Sequence, residues 1–150
     1  MGVRLSDREL KKILKDNINI KTKKSKKNKY HNTRLVIDGI RYDSKKEYER
    51  HCELILLEKA GEISELRFHD KKDIIILQDK PLITYEPDFC YKENDNFIIE
   101  DLKGYQTKEF KLKKKMIIHK IINNELLAKL RLTKYESGEF KIIEEYDKNS

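Results

Sequence analysis

The chain has 150 residues, of which 37% are hydrophobic and 41% charged, and its formal net charge at pH 7 is +7. This length predicts one domain-sized core, and the two isolated cysteines lack the spacing of a zinc site and give no support for a disulfide. The uninterrupted apolar runs are short, so we expect a soluble cytosolic protein without a signal core or a membrane span.

The first 29 residues are expected to form a segment apart from the rest, an N-terminal helix and a basic linker. The letters SDRE at residues 6–9 have the form of a capping box, which predicts a short amphipathic helix over residues 7–16. Residues 21–29 hold six lysines and no acid. Lys26, Lys27 and Lys29 are therefore candidate phosphate contacts, although a solvated linker has the same composition.

The residue pattern of the next segment, residues 33–61, predicts a hairpin followed by a helix. Asp38-Gly39 separates two apolar runs, and both positions tolerate the positive φ of a tight hairpin turn. Asp43 or Ser44 caps a helix over residues 45–60, which Gly61 ends. The expected apolar stripe of this helix consists of Tyr48, Cys52, Ile55 and Leu56, broadened by Leu54 and Leu57.

Strand-like runs over residues 63–68, 73–77, 82–91 and 97–103 follow. Asn94-Asp95-Asn96 supplies turn chemistry between the last two, which should pair as antiparallel neighbours. A helix over residues 108–123 and a hairpin over residues 130–145, turned at Ser137-Gly138, complete the chain. This order predicts an α/β fold, an α+β mixed sheet flanked by helices. The residues expected to point inward from the helix are Phe110, Met116, Ile117, Ile121 and Ile122.

Two carboxylates and a lysine stand at the ends of the third and fourth strand-like runs. Residues two apart on a strand share a face, so Asp101 and Lys103 should point one way and Glu100 the other. Pairing of the strands would place Asp88 beside Asp101, close enough for both to bind one cation. Mg²⁺ needs few protein oxygens, so the two carboxylates and the backbone carbonyl of Leu102 would suffice. Lys103 would orient a water and stabilise negative charge on a phosphodiester undergoing hydrolysis.

A third acid completes most sites of this kind, and Glu47 in the first turn of the first long helix is the candidate. Glu49 and Glu53 are the competing choices. A first-turn acid is also favoured by the helix dipole alone, so a structural role for Glu47 stays open.

These motifs resemble the PD-(D/E)xK nuclease signature, in the form found in phage proteins related to endonuclease I-type Holliday junction resolvases. The nearest resemblance is to an uncharacterised phage family, and it covers roughly residues 30–123. The shared motifs in this chain are Tyr30-His31-Asn32, Asp38-Gly39, residues 42–47 and residues 101–115.

The resemblance implies a restriction-endonuclease-like core over residues 30–150 and an enzyme that hydrolyses DNA to a 5′-phosphate with Mg²⁺, for which Mn²⁺ could substitute. By position, Glu47, Asp88 and Asp101 would bind the metal and Lys103 would be catalytic. The resemblance further implies DNA as partner and a role in phage DNA recombination or processing in the cytoplasm of a bacterial host. Branched DNA or a Holliday junction is one candidate substrate, and flaps, nicked duplex and specific sites stay open. A homodimer is suggested by the need of resolvases to cut two strands, and no membrane association is expected.

The second lysine cluster follows the Asp-x-Lys strand, with six lysines against the single Glu109 over residues 108–120. Lys108, Lys111, Lys113 and Lys114 are candidate DNA contacts, with a solvated helix face as the alternative. His69 and His119 form no constellation with a nucleophile. Two other functions stay open: a non-catalytic DNA-binding protein with a nuclease-like fold, and a basic protein that binds RNA or another protein.

Overall fold

A computed structural model describes residues 34–150. The chain divides into two compact units, one ending at Glu62 and the other spanning Ile63–Ser150. The predicted N-terminal helix, Lys26, Lys27 and Lys29 of the basic linker, and the boundary after residue 29 lie outside the described residues.

The first unit begins with a hairpin of strands β1 (Leu35–Ile37) and β2 (Ile40–Tyr42), which pair antiparallel. The turn residues Asp38 and Gly39 have φ values of 51° and 79°. Both lie in the left-handed region that two-residue hairpin turns require. The hairpin predicted from this residue pair is therefore confirmed.

Helix α1 (Lys45–Lys59) follows. Ser44 Oγ accepts a hydrogen bond from Glu47 N at 3.1 Å, so Ser44 is the N-cap. The helix ends in a left-handed Gly61, after which Glu62 N donates to Leu57 O at 3.0 Å. The buried face differs from the predicted apolar stripe, because the helix buries several polar side chains and leaves Tyr48, Ile55 and Leu56 half-buried. Its buried residues are Glu47, Arg50, His51, Cys52 and Leu54.

The second unit contains one α-helix, α2 (Lys108–Ile122), and a short 3₁₀ helix (Lys71–Asp73). Its seven strands are β3 (Ser64–Phe68), β4 (Ile75–Gln78), β5 (Ile83–Tyr85), β6 (Phe89–Glu93), β7 (Asn96–Leu102), β8 (Lys129–Glu136) and β9 (Glu139–Tyr146). Five strands form one sheet in the order β3-β6-β7-β8-β9, while β4 and β5 form a separate pair. Only β7 and β8 run parallel within the large sheet, and α2 connects them. This mixed sheet confirms the predicted fold class and is compatible with a restriction-endonuclease-like core.

The predicted strand over residues 82–91 is interrupted. β5 ends at Tyr85 and β6 begins at Phe89, so residues 86–88 lie outside both ladders. Pro87 has no N–H to donate to a strand, which favours a break at this point. The interruption leaves Asp88 immediately before β6.

The core of the second unit lies between α2 and one face of the sheet. Phe110, Ile117 and Ile121 of the helix pack with buried strand residues, whereas Ile122, predicted to point inward, is 42% exposed at the last turn. The strand residues of this cluster are Leu77, Tyr85, Cys90, Ile99, Leu130 and Leu132. Among residues 34–150, neither helix is long and apolar enough to cross a membrane.

Candidate active site

Asp88 and Asp101 lie side by side at one end of the β6–β7 ladder. Phe89 pairs with Glu100 in this antiparallel register, so the next step along the ladder sets Asp88 opposite Asp101. The main-chain N–H of Leu102 donates to Asp88 Oδ2 at 2.8 Å. The predicted hairpin pairing therefore brings the two carboxylates together.

The two carboxyl groups are close enough for their charges to interact. Burial raises the pKa of Asp88 well above its usual value, and the charge of Asp101 raises it further, while Lys103 acts in the opposite direction. A close pair of like charges is stabilised by a shared proton or by a bound cation. The pair is thus a suitable place for a divalent ion.

Asp101 is 1% exposed and is held on one side by Tyr85, whose hydroxyl donates to Oδ2. Burial raises the pKa of Tyr85 well above its usual value, and Asp101 adds to the effect, so the phenol remains a donor. The other oxygen, Oδ1, lies 2.5 Å from Lys103 Nζ. In the part of the chain that the structure describes, Oδ1 is nevertheless one of two buried side-chain atoms without a hydrogen bond in good geometry. Apart from its ion pair with Lys103, this oxygen has room for a further partner, which a bound cation would supply.

Lys103 follows directly after β7, and both its main chain and its ammonium group are held by neighbouring residues. Its main-chain N–H donates to Thr133 O on β8 at 2.9 Å, and its Nζ lies 4.5 Å from the centre of the Phe110 ring. The ring supports the ammonium group by a cation–π contact from α2. The lysine is therefore directed at Asp101 and remains 26% exposed, accessible to a ligand.

Glu100 is on the opposite face of β7, as strand parity predicts. It is fully buried and accepts a hydrogen bond from the Tyr91 hydroxyl. Arg131 Nη1 donates to the same hydroxyl at 3.0 Å and ion-pairs with Glu93 and Glu145 at 2.6 and 2.8 Å. This network belongs to the scaffold, so Asp101 and not Glu100 faces the site.

Sequence reasoning missed His69, which the structure places beside Asp88. Phe68 pairs with Phe89 in the β3–β6 ladder, so the residue after β3 meets the residue before β6. His69 Nε2 lies 3.8 Å from Asp88 Oδ1, and Nδ1 lies 3.5 Å from Glu86 Oε1. The two segments are far apart in the chain, and only the antiparallel pairing of β3 with β6 could have indicated their proximity.

Glu47, in the first unit, is 6% exposed, and its Oε2 accepts a hydrogen bond from Asp43 N at 2.7 Å. With Ser44 as N-cap, this is close to a capping box and gives Glu47 a structural role. The competing acids have cationic partners on their own helix: Glu49 with Lys46, and Glu53 with Arg50, each at 2.8 Å. Glu47 as a metal ligand stays a prediction, as does the backbone carbonyl of Leu102.

The candidate DNA-binding lysines on α2 differ in their surroundings. Lys108 and Lys111 are exposed, whereas Lys113 is half-buried. Lys114 is only 14% exposed and ion-pairs with Glu144 at 3.0 Å. A phosphate would have to compete with Glu144 for Lys114, so Lys108 and Lys111 are the more accessible of the four.

Residues 27–137 match the family described as "Protein of unknown function (DUF1064)". The chain belongs to the DUF1064 family. The segment that matches DUF1064 includes Glu47, Asp88, Asp101 and Lys103, the entire set of predicted catalytic residues. No curated protein and no solved structure matches the chain at a significant level.

Proposed function

We propose that this DUF1064 protein is a Mg²⁺-dependent DNA endonuclease of the PD-(D/E)xK type. The observation that carries the proposal is the convergence of Asp88, Asp101 and Lys103 at one end of the β6–β7 ladder. Two adjacent carboxylates with a directed lysine are the groups that metal-assisted phosphodiester hydrolysis needs.

Each residue has a role that its surroundings support. Asp88 and Asp101 bind the cation, and Tyr85 and the Leu102 N–H hold the two carboxylates in place. The bound ion supplies a Lewis acid that polarises the phosphate and lowers the pKa of a water. Lys103 orients the attacking water and stabilises the negative charge that develops on the phosphate.

The charge of the chain supports a polyanionic substrate. The formal net charge is +7, and helix α2, which begins five residues after Lys103, exposes Lys108 and Lys111. Each lysine that contacts a phosphate releases condensed counterions, so binding should weaken steeply with salt. We propose that these two lysines, Lys113, Lys114 and the linker lysines guide DNA to the site.

Finer parts of the proposal rest on the sequence motifs and on the resemblance. We propose Glu47 as third metal ligand and the Leu102 carbonyl as a further one, Mn²⁺ as an effective substitute ion, and a homodimer acting on branched DNA. The corresponding setting is recombination or DNA processing by a phage or prophage in the cytoplasm of a bacterial host.

The test is cleavage of labelled linear duplex, flap and four-way-junction DNA in Mg²⁺, in Mn²⁺ and with a chelator. Wild-type protein and an Asp79→Asn control, altered at an exposed acid, should cleave at least one substrate only when metal is present. Asp101→Asn should lose at least about a hundredfold in rate. Equal rates for wild type and Asp101→Asn would refute the proposal. Salt-dependent DNA binding without cleavage by any metal would favour a non-catalytic DNA-binding protein instead.

A further inference from the structure

His69 lies between two carboxylates and is the imidazole nearest to the candidate metal site in the second unit. Its Nδ1 is 3.5 Å from Glu86 Oε1, and its Nε2 is 3.8 Å from Asp88 Oδ1. The edge of the ring packs against Phe68, with 4.4 Å between ring centres. The ring is 30% exposed, so it is oriented by its neighbours and still open to a ligand.

The backbone of His69 is held in a conformation that non-glycine residues seldom adopt. Its φ is +44°, and its N–H donates to the carbonyl of Asp88 at 3.1 Å. Such a conformation is energetically unfavourable for a histidine and persists when surrounding contacts enforce it. The main-chain bond to Asp88 therefore fixes the imidazole beside the carboxylate.

The two ring nitrogens face different partners, and this assigns their roles. In the tautomer with its proton on Nδ1, that proton points to Glu86, and the lone pair of Nε2 faces Asp88 Oδ1. A cation between these two atoms would bind both of them. With bonds of about 2.1 Å, adjacent ligands of one octahedral ion lie about 3.0 Å apart. The observed 3.8 Å is longer, so the two atoms would move closer together when the ion binds. A carboxylate on the other nitrogen is the usual partner of a metal-binding histidine.

We infer that His69 Nε2 is a ligand of the cation held by Asp88, that Glu86 orients the imidazole, and that the site consequently binds Mn²⁺ more tightly than Mg²⁺. Mg²⁺ prefers oxygen ligands and retains its waters, whereas a first-row transition ion accepts an imidazole nitrogen readily. The inference rests on the proposed function in taking the Asp88 and Asp101 pair as a metal site, and it adds a nitrogen ligand and an ion preference.

The test measures ion binding without DNA, on the full chain, by calorimetry with Mn²⁺ and by competition with Mg²⁺. Wild type should bind Mn²⁺ at least about tenfold more tightly than Mg²⁺. His69→Asn keeps a residue type that tolerates positive φ, and it should weaken Mn²⁺ binding about 10- to 100-fold while changing Mg²⁺ binding much less. Glu86→Gln should give a smaller loss of Mn²⁺ affinity. His119→Gln, on an exposed helix histidine, is the matched control and should bind as wild type does.

A spectroscopic measurement decides whether nitrogen is bound directly. Electron spin-echo modulation of the Mn²⁺-loaded wild type should contain the signal of a coordinated imidazole nitrogen, and that of His69→Asn should not. Absence of the signal from wild type, or equal Mn²⁺ affinities of wild type and His69→Asn, would overturn the inference. A nitrogen-coordinated Mn²⁺ in a protein that cleaves no DNA would confirm the ligand and refute only the nuclease proposal.

Discussion

Asp88 and Asp101 stand opposite each other across two antiparallel strands, and the Leu102 N–H donates to Asp88 Oδ2 at 2.8 Å. Two carboxylates this close repel each other unless a proton or a cation lies between them. Without metal, the pair is thus a local source of instability that the rest of the second unit has to offset. The first two predictions follow because the same acid pair suits a cation and destabilises the metal-free protein.

Asp88→Asn should stabilise the metal-free protein while abolishing metal-dependent cleavage. Removing one of two facing charges should add roughly 1 kcal/mol, or about 2–4 °C in Tm for a chain of this size. Thermal unfolding with a chelator checks the gain, and Asp79→Asn, at an exposed acid, should leave Tm unchanged. A lower Tm for Asp88→Asn would argue that the pair is not strained.

The gain from Asp88→Asn should grow with pH. Burial raises the folded-state pKa of Asp88 above its unfolded value of about 3.9, so the folded state holds this proton more tightly. That contribution to stability is complete below the unfolded pKa and is lost as pH rises through the folded pKa. Unfolding curves of both proteins from acid to neutral pH should therefore diverge in favour of Asp88→Asn.

Lys103→Met should reduce cleavage at least about a hundredfold and also destabilise the metal-free protein, because its ammonium lies 2.5 Å from Asp101 Oδ1. We expect a loss of about 1–3 kcal/mol in the free energy of unfolding. In the Asp88→Asn background, Lys103→Met should cost less stability, because one of the two facing acids is already gone. A double-mutant cycle measures this difference. Lys141→Met is the control for removing a surface lysine, because Lys141 lies on β9 with a side chain that is 42% exposed. Additive effects in the cycle would indicate that the lysine and the acid pair are not coupled.

The elements of this fold follow local patterns that the sequence displays. Asp38-Gly39 requires a tight turn, Ser44 and Gly61 bound a helix, and Ser137-Gly138 turns the last hairpin, all of which the structure contains. The apolar residues on both sides of Pro87 predict one continuous strand, and the strand is broken because Pro87 cannot donate to a ladder. Local patterns thus predict the elements but not the interruption just before the site residue Asp88.

The site was predictable only where its residues share a local element. Strand alternation predicts that Asp101 and Lys103 share a face, and the short hairpin predicts that Asp88 lies beside Asp101. His69 enters through a pairing of β3 with β6 that no short pattern indicates. No local pattern singles out Tyr85, whose hydrogen bond to Asp101 depends on how the β4–β5 pair packs in the second unit.

Tyr85→Phe should leave Asp101 Oδ2 without its hydrogen bond and cost about 1–3 kcal/mol of stability. Chemical denaturation compares it with Tyr105→Phe, a change at a tyrosine that is 81% exposed and should cost nothing measurable. If both variants unfold at the same denaturant concentration, the hydroxyl of Tyr85 does not support Asp101.

Arg131→Gln should be among the most destabilising single changes in the second unit. The Arg131 side chain is 8% exposed, ion-pairs with the partly exposed Glu93 and Glu145, and donates to the buried Tyr91 hydroxyl. Losing these charged hydrogen bonds should cost about 1–3 kcal/mol. Arg34→Gln removes a surface pair at 3.7 Å in the first unit and should cost less than about 1 kcal/mol, as measured by denaturant unfolding. Similar costs for the two variants would contradict a structural role for this network.

The central claim is that Asp88 and Asp101 jointly hold a cation, and anomalous diffraction from crystals containing Mn²⁺ tests it most directly. The account predicts an anomalous peak within about 2.5 Å of one oxygen of each carboxylate. A peak confined to exposed acids such as Asp79, or an Asp88–Asp101 pair without a peak at saturating Mn²⁺, would contradict it.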